Sequence, residues 1–141
     1  MKGHSLRTTD YYANTLRMYQ LKATPQRSAI AEALDHYGHL SIDALYEQLK
    51  QKLPSLSLAT IYKNLHAMIE KNFVAEVKLP GAKSVFELVK EQHSHLLCEK
   101  CGMVEDIHMD VDPMIIDAQE RSGFTIEKID IVLTGRCSKC K

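Results

Sequence analysis

The sequence predicts an α+β fold in two modules: helices closed by a β-hairpin over residues 1–88, then a smaller α/β module over residues 89–141. Three observations carry the prediction. Segments with helical apolar spacing crowd the N-terminal part, strand-like alternation takes over past the middle, and the composition changes between residues 85 and 92. All six tyrosines lie at or before Tyr62, and all four cysteines at or after Cys98. Residues 1–85 carry 11 Lys/Arg against 7 Asp/Glu and residues 86–141 carry 7 against 11, so a net charge of zero divides into a basic half and an acidic half. A basic half can approach phosphate, and an acidic half can hold divalent cations.

Thr8, Thr9 and Asp10 are helix-capping types, and Tyr12, Leu16 and Tyr19 follow at spacings of four and three, which predicts a first helix ending near Leu21. Thr24-Pro25 sets a second start, since the threonine hydroxyl can accept an orphan backbone N–H and proline suits the first helical position. Ile30, Ala33 and Leu34 form its buried stripe, and Gly38 closes it. Ser41 caps a third helix with Ile42, Leu45 and Leu49 on its apolar face, and Pro54 breaks the chain before Ser57 starts a fourth. There Leu58, Ile61, Leu65, Met68 and Ile69 fall on one side, and Thr60, Lys63, Asn64 and His66 nearer the other. Residues 73–79 and 84–89 flank Pro80-Gly81-Ala82-Lys83 and read as a hairpin. Closely spaced helices followed by a hairpin have the order of a winged helix-turn-helix. In that arrangement the last helix can enter a major groove roughly 12 Å wide while the hairpin lies along the flanking backbone.

Residues 95–99 and 103–109 read as strands around the Cys98/Cys101 turn, Asp112-Pro113 starts a helix ending at Gly123, and residues 124–133 read as a strand with Ile129, Ile131 and Leu133 alternating. Three strands and one helix bury too little apolar surface to stand alone, so pairing with a second copy is expected.

A chain of 141 residues, 45% apolar and 26% charged, has room for one ordinary domain or two small ones and excludes a large enzyme core. It has no run of eighteen apolar positions and so no transmembrane helix. Residues 1–10 are polar and lack the apolar segment of a secretory signal, so a cytoplasmic location is expected.

Both C-x-x-C pairs, Cys98/Cys101 and Cys137/Cys140, then point to metal rather than disulfides. Four thiolates complete a tetrahedral zinc site with no position left for water, which makes it structural. The 35 residues between Cys101 and Cys137 mean that the ion would staple the chain's end back onto its module. Two independent redox dithiols are the rival, but neither pair sits in a strand-to-helix turn of thioredoxin type.

His93 and His95 lie just before Cys98, and in an extended segment residues two apart share a face. Glu87 and Asp106 offer oxygen donors near that face, and such a nitrogen and oxygen set suits Fe(II), Mn(II), Zn(II) or Ni(II). On spacing alone these four are as well read as ordinary surface residues. His39, after Gly38, reads as a loop histidine unless it also reaches the cluster; a metal held there would then tie the basic module to the acidic one. His108 is a spare candidate, and His4, His36 and His66 are read as non-ligands.

Leu21-Lys22-Ala23-Thr24-Pro25-Gln26-Arg27, Ser57-Leu58-Ala59-Thr60-Ile61-Tyr62-Lys63-Asn64-Leu65, Phe86-Glu87-Leu88, His93-x-His95-x-x-Cys98-x-x-Cys101-Gly102 and Cys137-x-x-Cys140 together resemble the ferric uptake regulator (Fur) family, from about Leu21 to Cys140. The resemblance implies a homodimeric, metal-dependent repressor of transcription that binds double-stranded operator DNA, with an N-terminal winged helix and a C-terminal α/β dimerisation domain. It implies structural zinc on Cys98, Cys101, Cys137 and Cys140. It implies a regulatory Fe(II) or Mn(II) on His39, Glu87, His93, His95 and Asp106. The family's recognition-helix tyrosine falls on Tyr62 with Lys63 and Asn64 beside it, Ser57 and Thr60 join that DNA-facing segment, and a basic residue that approaches the minor groove falls on Lys22.

Some members have a third metal site whose places here resemble Gln92, Ser94 and Ile129, so that site is expected to be absent. Asp106 resembles the peroxide-sensing (PerR-type) branch, in which bound Fe(II) and hydrogen peroxide oxidise a ligating histidine, His39 or His93 here. Glu87 is the more iron-regulator-like choice, which keeps an iron sensor without peroxide response as the alternative. A non-haem iron oxygenase is the rival from the enzyme class, disfavoured because five protein ligands leave little room for substrate.

Overall fold

The computed structural model describes the backbone from Thr9 and the side chains from Asp10 to Lys141. Thr8 and His4 lie outside the described residues. Two compact units divide between Lys90 and Glu91.

In the first unit, α1 (Thr9–Met18) ends three residues before the sequence predicts. Gln20 takes a left-handed φ of 64°, and the backbone N–H groups of Leu21 and Gln20 donate to the carbonyls of Leu16 and Arg17, both at 3.0 Å. That is a Schellman stop, with Leu16 and Leu21 as its buried apolar pair. Helix α2 (Pro25–Tyr37) starts where Thr24 Oγ1 accepts from the Arg27 N–H at 3.2 Å and stops at Gly38, whose φ is 86°. Ser41 caps α3 (Ile42–Leu49) through the Ala44 N–H, and Ser57 caps α4 (Leu58–Glu70) through the Thr60 N–H, each at 3.2 Å. Asn72, with φ 60°, ends α4 by the same Schellman pattern.

The hairpin forms as β2 (Val74–Val77) and β3 (Val85–Leu88), antiparallel, with Val77 opposite Val85. A two-residue strand the sequence did not predict, β1 (Leu40–Ser41), pairs on the far side of β3. Leu16, Ile30, Leu34, Leu45, Leu49, Ile61, Leu65, Met68 and Val74 are all fully buried and make one core. Leu58, predicted on the buried face of α4, is instead 39% exposed. The core meets this helix first at Ile61, and Leu56 from the preceding loop takes the buried place.

The second unit is a three-stranded sheet, β4 (Ser94–Cys98), β5 (Val104–Ile107) and β6 (Val132–Gly135) in the order β5-β4-β6, with α5 (Asp112–Ser122). Strands β4 and β5 run antiparallel, and β6 lies parallel to β4 with Cys98 opposite Gly135. The strand predicted over 124–133 forms only from Val132 and runs on to Gly135. The central strand already has β5 on one edge, and only the last residues of that segment reach its other edge. Helix α5 has no fully buried residue, and Met114, Ile116, Phe124 and Leu133 are exposed.

Candidate functional site

The two C-x-x-C turns meet in the second unit because β6 pairs with β4. The Glu99 N–H donates to the Gly135 carbonyl at 2.9 Å, which carries Cys137 to the turn that follows Cys98. That turn is closed by the Gly102 N–H on the Cys98 carbonyl at 2.8 Å. The four sulfurs all lie within 4.8 Å of one another, Cys101 and Cys137 at 3.9 Å, and none is in a disulfide. A tetrahedral zinc with bonds of about 2.3 Å sets its sulfurs about 3.8 Å apart, so this cluster fits such an ion. The Cys101 N–H donates to Cys98 Sγ at 3.4 Å. That hydrogen bond and a second from the Cys137 backbone pull the Cys98 thiol down to about 6. Cys140 is pushed up to about 12, chiefly because its proton is shared with the Cys137 sulfur.

On β4 and β5 of the same unit, antiparallel register sets His95 opposite Asp106, and His93 lies two residues before His95 on the same face. His93 Nε2 and His95 Nε2 are 3.1 Å apart, and each is 3.6 Å from Asp106 Oδ1. Three donor atoms thus converge on one small volume. His108 is exposed, its Nε2 3.6 Å from Glu91 Oε1 and its ring 6.1 Å from that of His93, at the cluster's edge.

In the first unit, the β1–β3 register pairs Leu40 with Phe86 and Ser41 with Val85. Continued by one residue, it sets His39 opposite Glu87. Their side chains meet at 2.9 Å, Nε2 to Oε1, with Glu87 only 4% exposed. A nearly buried carboxylate beside an imidazole offers one oxygen and one nitrogen donor to a cation. The sequence offered no sign of β1, so only family likeness connected His39 to Glu87.

The predicted DNA-facing residues lie along α4 and the loop before α2. Lys22, Ser57, Tyr62 and Lys63 are exposed, Tyr62 by 51%, while Thr60 and Asn64 are half-buried. The Ser57 and Thr60 hydroxyls bond each other at 2.9 Å at the open N-terminus of α4, where backbone N–H groups favour phosphate. At the hairpin turn, Lys83 pairs with Asp43 of α3, and that bond holds the Lys83 ammonium above its usual range.

A winged helix-turn-helix unit followed by a small α/β unit whose four-sulfur cluster fits a metal ion has the architecture of a DNA-binding transcription factor. The model of the ferric uptake regulator family matches residues 18–134. The peroxide operon regulator of Bacillus subtilis is 33% identical over 142 residues, which cover 99% of this chain and 96% of that protein. The crystal structure of the Campylobacter jejuni peroxide stress regulator matches with a TM-score of 0.74 at 32% identity, over 90% of this chain and 97% of that one. The Vibrio cholerae ferric uptake regulator matches with a TM-score of 0.75 at 29% identity, over 89% of this chain and 98% of that one. The chain belongs to the ferric uptake regulator family and is a transcriptional regulator, not an enzyme. Among the described residues no helix is long and apolar enough to cross a membrane.

Proposed function

We propose that this chain is a metal-dependent repressor that responds to hydrogen peroxide and acts in the cytoplasm as a homodimer on double-stranded operator DNA. The observation that carries the reading is the convergence of His93, His95 and Asp106 on β4 and β5, with His39 and Glu87 facing each other at 2.9 Å in the DNA-binding unit. These five residues would hold one Fe(II) or Mn(II), drawing ligands from both units, while Cys98, Cys101, Cys137 and Cys140 would hold structural zinc. Converting a mostly inactive population to a mostly active one takes roughly 5 kcal/mol of preference for the active arrangement, which several direct ligands can supply.

A bound Fe(II) would supply the redox activation by which one hydrogen peroxide takes two electrons from the ring of a neighbouring imidazole, His39 or His93, leaving one oxygen on a ring carbon and releasing one water. The residues' own part is to hold those rings close and fixed. An oxidised imidazole loses its fit as a ligand, and the hold between the two units goes with it. On DNA, the open N-terminus of α4 and the exposed Tyr62 and Lys63 support insertion into a major groove, with Lys22 on the flank. The exposed Met114, Ile116, Phe124 and Leu133 support a partner copy over the second unit.

The peroxide reading draws further on the peroxide regulators at 33% and 32% identity, and on Asp106. An iron sensor without peroxide response is the second reading, favoured by Glu87 and the likeness to the Vibrio cholerae regulator. The test is to measure operator binding by zinc-loaded protein with added Fe(II), Mn(II), Zn(II) or Ni(II), then add peroxide. Mass spectrometry is expected to find one added oxygen on a peptide containing His39 or His93 in the Fe(II) sample alone. Iron-dependent binding without oxidation selects the iron sensor, and loss of zinc in step with loss of binding selects a thiol switch.

A further inference from the structure

Arg27, in the first turn of α2, reaches in two directions. Its Nε donates to Asn64 Oδ1 on α4 at 3.0 Å, and its Nη1 donates to the Lys22 carbonyl in the loop ahead of α2 at 3.2 Å. Asn64 Nδ2 donates in turn to the Thr60 carbonyl one turn back, at 3.0 Å. Both ends of the Asn64 amide are therefore engaged within the protein. An asparagine that reads adenine uses these same two ends, accepting at Oδ1 and donating from Nδ2.

We infer that Arg27 and Asn64 are positioning residues that fasten the Lys22 loop to the recognition helix, and that Asn64 reads no base. The guanidinium fork is what allows the fastening, because its fixed plane satisfies acceptors on two separate elements at once. A lysine at residue 27 keeps the charge but offers a single point. The loop and α4 then meet DNA as one preassembled surface, with the exposed ammonium of Lys22 held in register with Tyr62 and Lys63. The ordering of that loop is complete before DNA arrives instead of being drawn from the binding free energy.

This inference rests on the DNA-binding reading above, and the test separates the two. Full-length Mn(II)-loaded wild type, Asn64→Ala, Arg27→Lys and the double variant are titrated against a duplex selected from a random-sequence library by the wild type. Fluorescence anisotropy is read over a range of salt concentrations, with thermal melting as the check on folding. Each single variant is expected to lose roughly tenfold in affinity, and the double variant no more than either single. Asn64→Ala, which removes no charge, is expected to lower the salt-dependence slope by about one because the Lys22 ammonium is no longer held against the DNA to displace a counterion. Base preference across single-base variants of the duplex stays as in wild type. An unchanged slope with relaxed preference at one base pair makes Asn64 a base reader and overturns the inference, as do losses that add in the double variant. Wild-type protein that selects no DNA removes the DNA-binding reading and this inference together.

Discussion

His93 Nδ1 lies 2.8 Å from the backbone carbonyl oxygen of Glu91. A carbonyl can only accept, so Nδ1 donates, and in the neutral ring the lone pair is on Nε2, the atom facing His95 and Asp106. The chain sets the tautomer a metal ligand needs before any ion arrives.

The first prediction follows from that preset ring. His93→Gln removes an aromatic nitrogen ligand and its carbonyl-fixed orientation while keeping a polar side chain. The Mn(II) concentration for half-maximal operator binding is expected to rise on the order of a hundredfold, the upper range seen when ligand support is lost. Zinc content should be unchanged, because the sulfur cluster shares no ligand with this site. Unaltered Mn(II) dependence would place the regulatory ion elsewhere.

The thiolate cluster predicts a pH dependence with opposite signs at two cysteines of the metal-free chain. Cys98 is pulled down from about 9 to about 6, so its contribution to folding is fully present above about 9 and is lost as pH falls through about 6. Cys140 is pushed up from about 9 to about 12, so its contribution is present below about 9 and is lost as pH rises through about 12. Zinc must displace the Cys140 proton to gain its fourth thiolate. Affinity is therefore expected to rise with pH from 6.5 to 8.0, with proton release seen by calorimetry in buffers of different ionisation enthalpy. A flat profile would contradict the assignment of all four sulfurs as ligands.

Much of this arrangement was legible in local chemistry, and the misses have physical causes. Thr24, Ser41 and Ser57 announced three helix starts because a cap needs only its own side chain and the next turn. Gly38 and Gly123 marked helix ends for the same kind of local reason. Gln20 did not, since a left-handed glutamine is held by the burial of Leu16 and Leu21, not by its own preference. Strand β1 was invisible because two residues show no period; it exists only because β3 offers a free edge. The length of β6 failed similarly, as pairing with β4 and not alternation set its start. In the candidate site, His93 and His95 followed from a spacing of two, whereas the His39–Glu87 pair depended on that unseen strand.

Ser94 gives a third prediction. It is 1% exposed, sits between the two histidines on the opposite face of β4, and its hydroxyl has no hydrogen-bond partner among the described residues. A buried, unpaired hydroxyl costs about 1–3 kcal/mol of desolvation that a methyl group does not. Ser94→Ala is therefore expected to leave urea stability unchanged or raise it by up to about 1 kcal/mol, against the usual direction for a buried substitution. Metal-dependent operator binding should persist, consistent with the expectation that no third metal site forms around Gln92, Ser94 and Ile129. A loss above about 1 kcal/mol would mean that the hydroxyl has a partner after all.

Lys63 carries the last prediction. It is exposed on α4 next to Tyr62, one helical turn beyond the Ser57–Thr60 pair at the helix's open end. If it meets a phosphate, Lys63→Ala lowers the slope of log affinity against log salt by about one and weakens binding about equally on all sequences. If it meets a guanine, the slope changes less and preference relaxes at one position by about 1–3 kcal/mol. The phosphate outcome is expected, since an exposed ammonium with no hydrogen-bond or ion-pair partner among the described residues behaves as a point charge and not as a planar fork. Titrations at several salt concentrations, on the selected duplex and a scrambled one, distinguish the two. Equal loss on both with the lower slope supports the phosphate contact, and loss confined to the selected duplex refutes it.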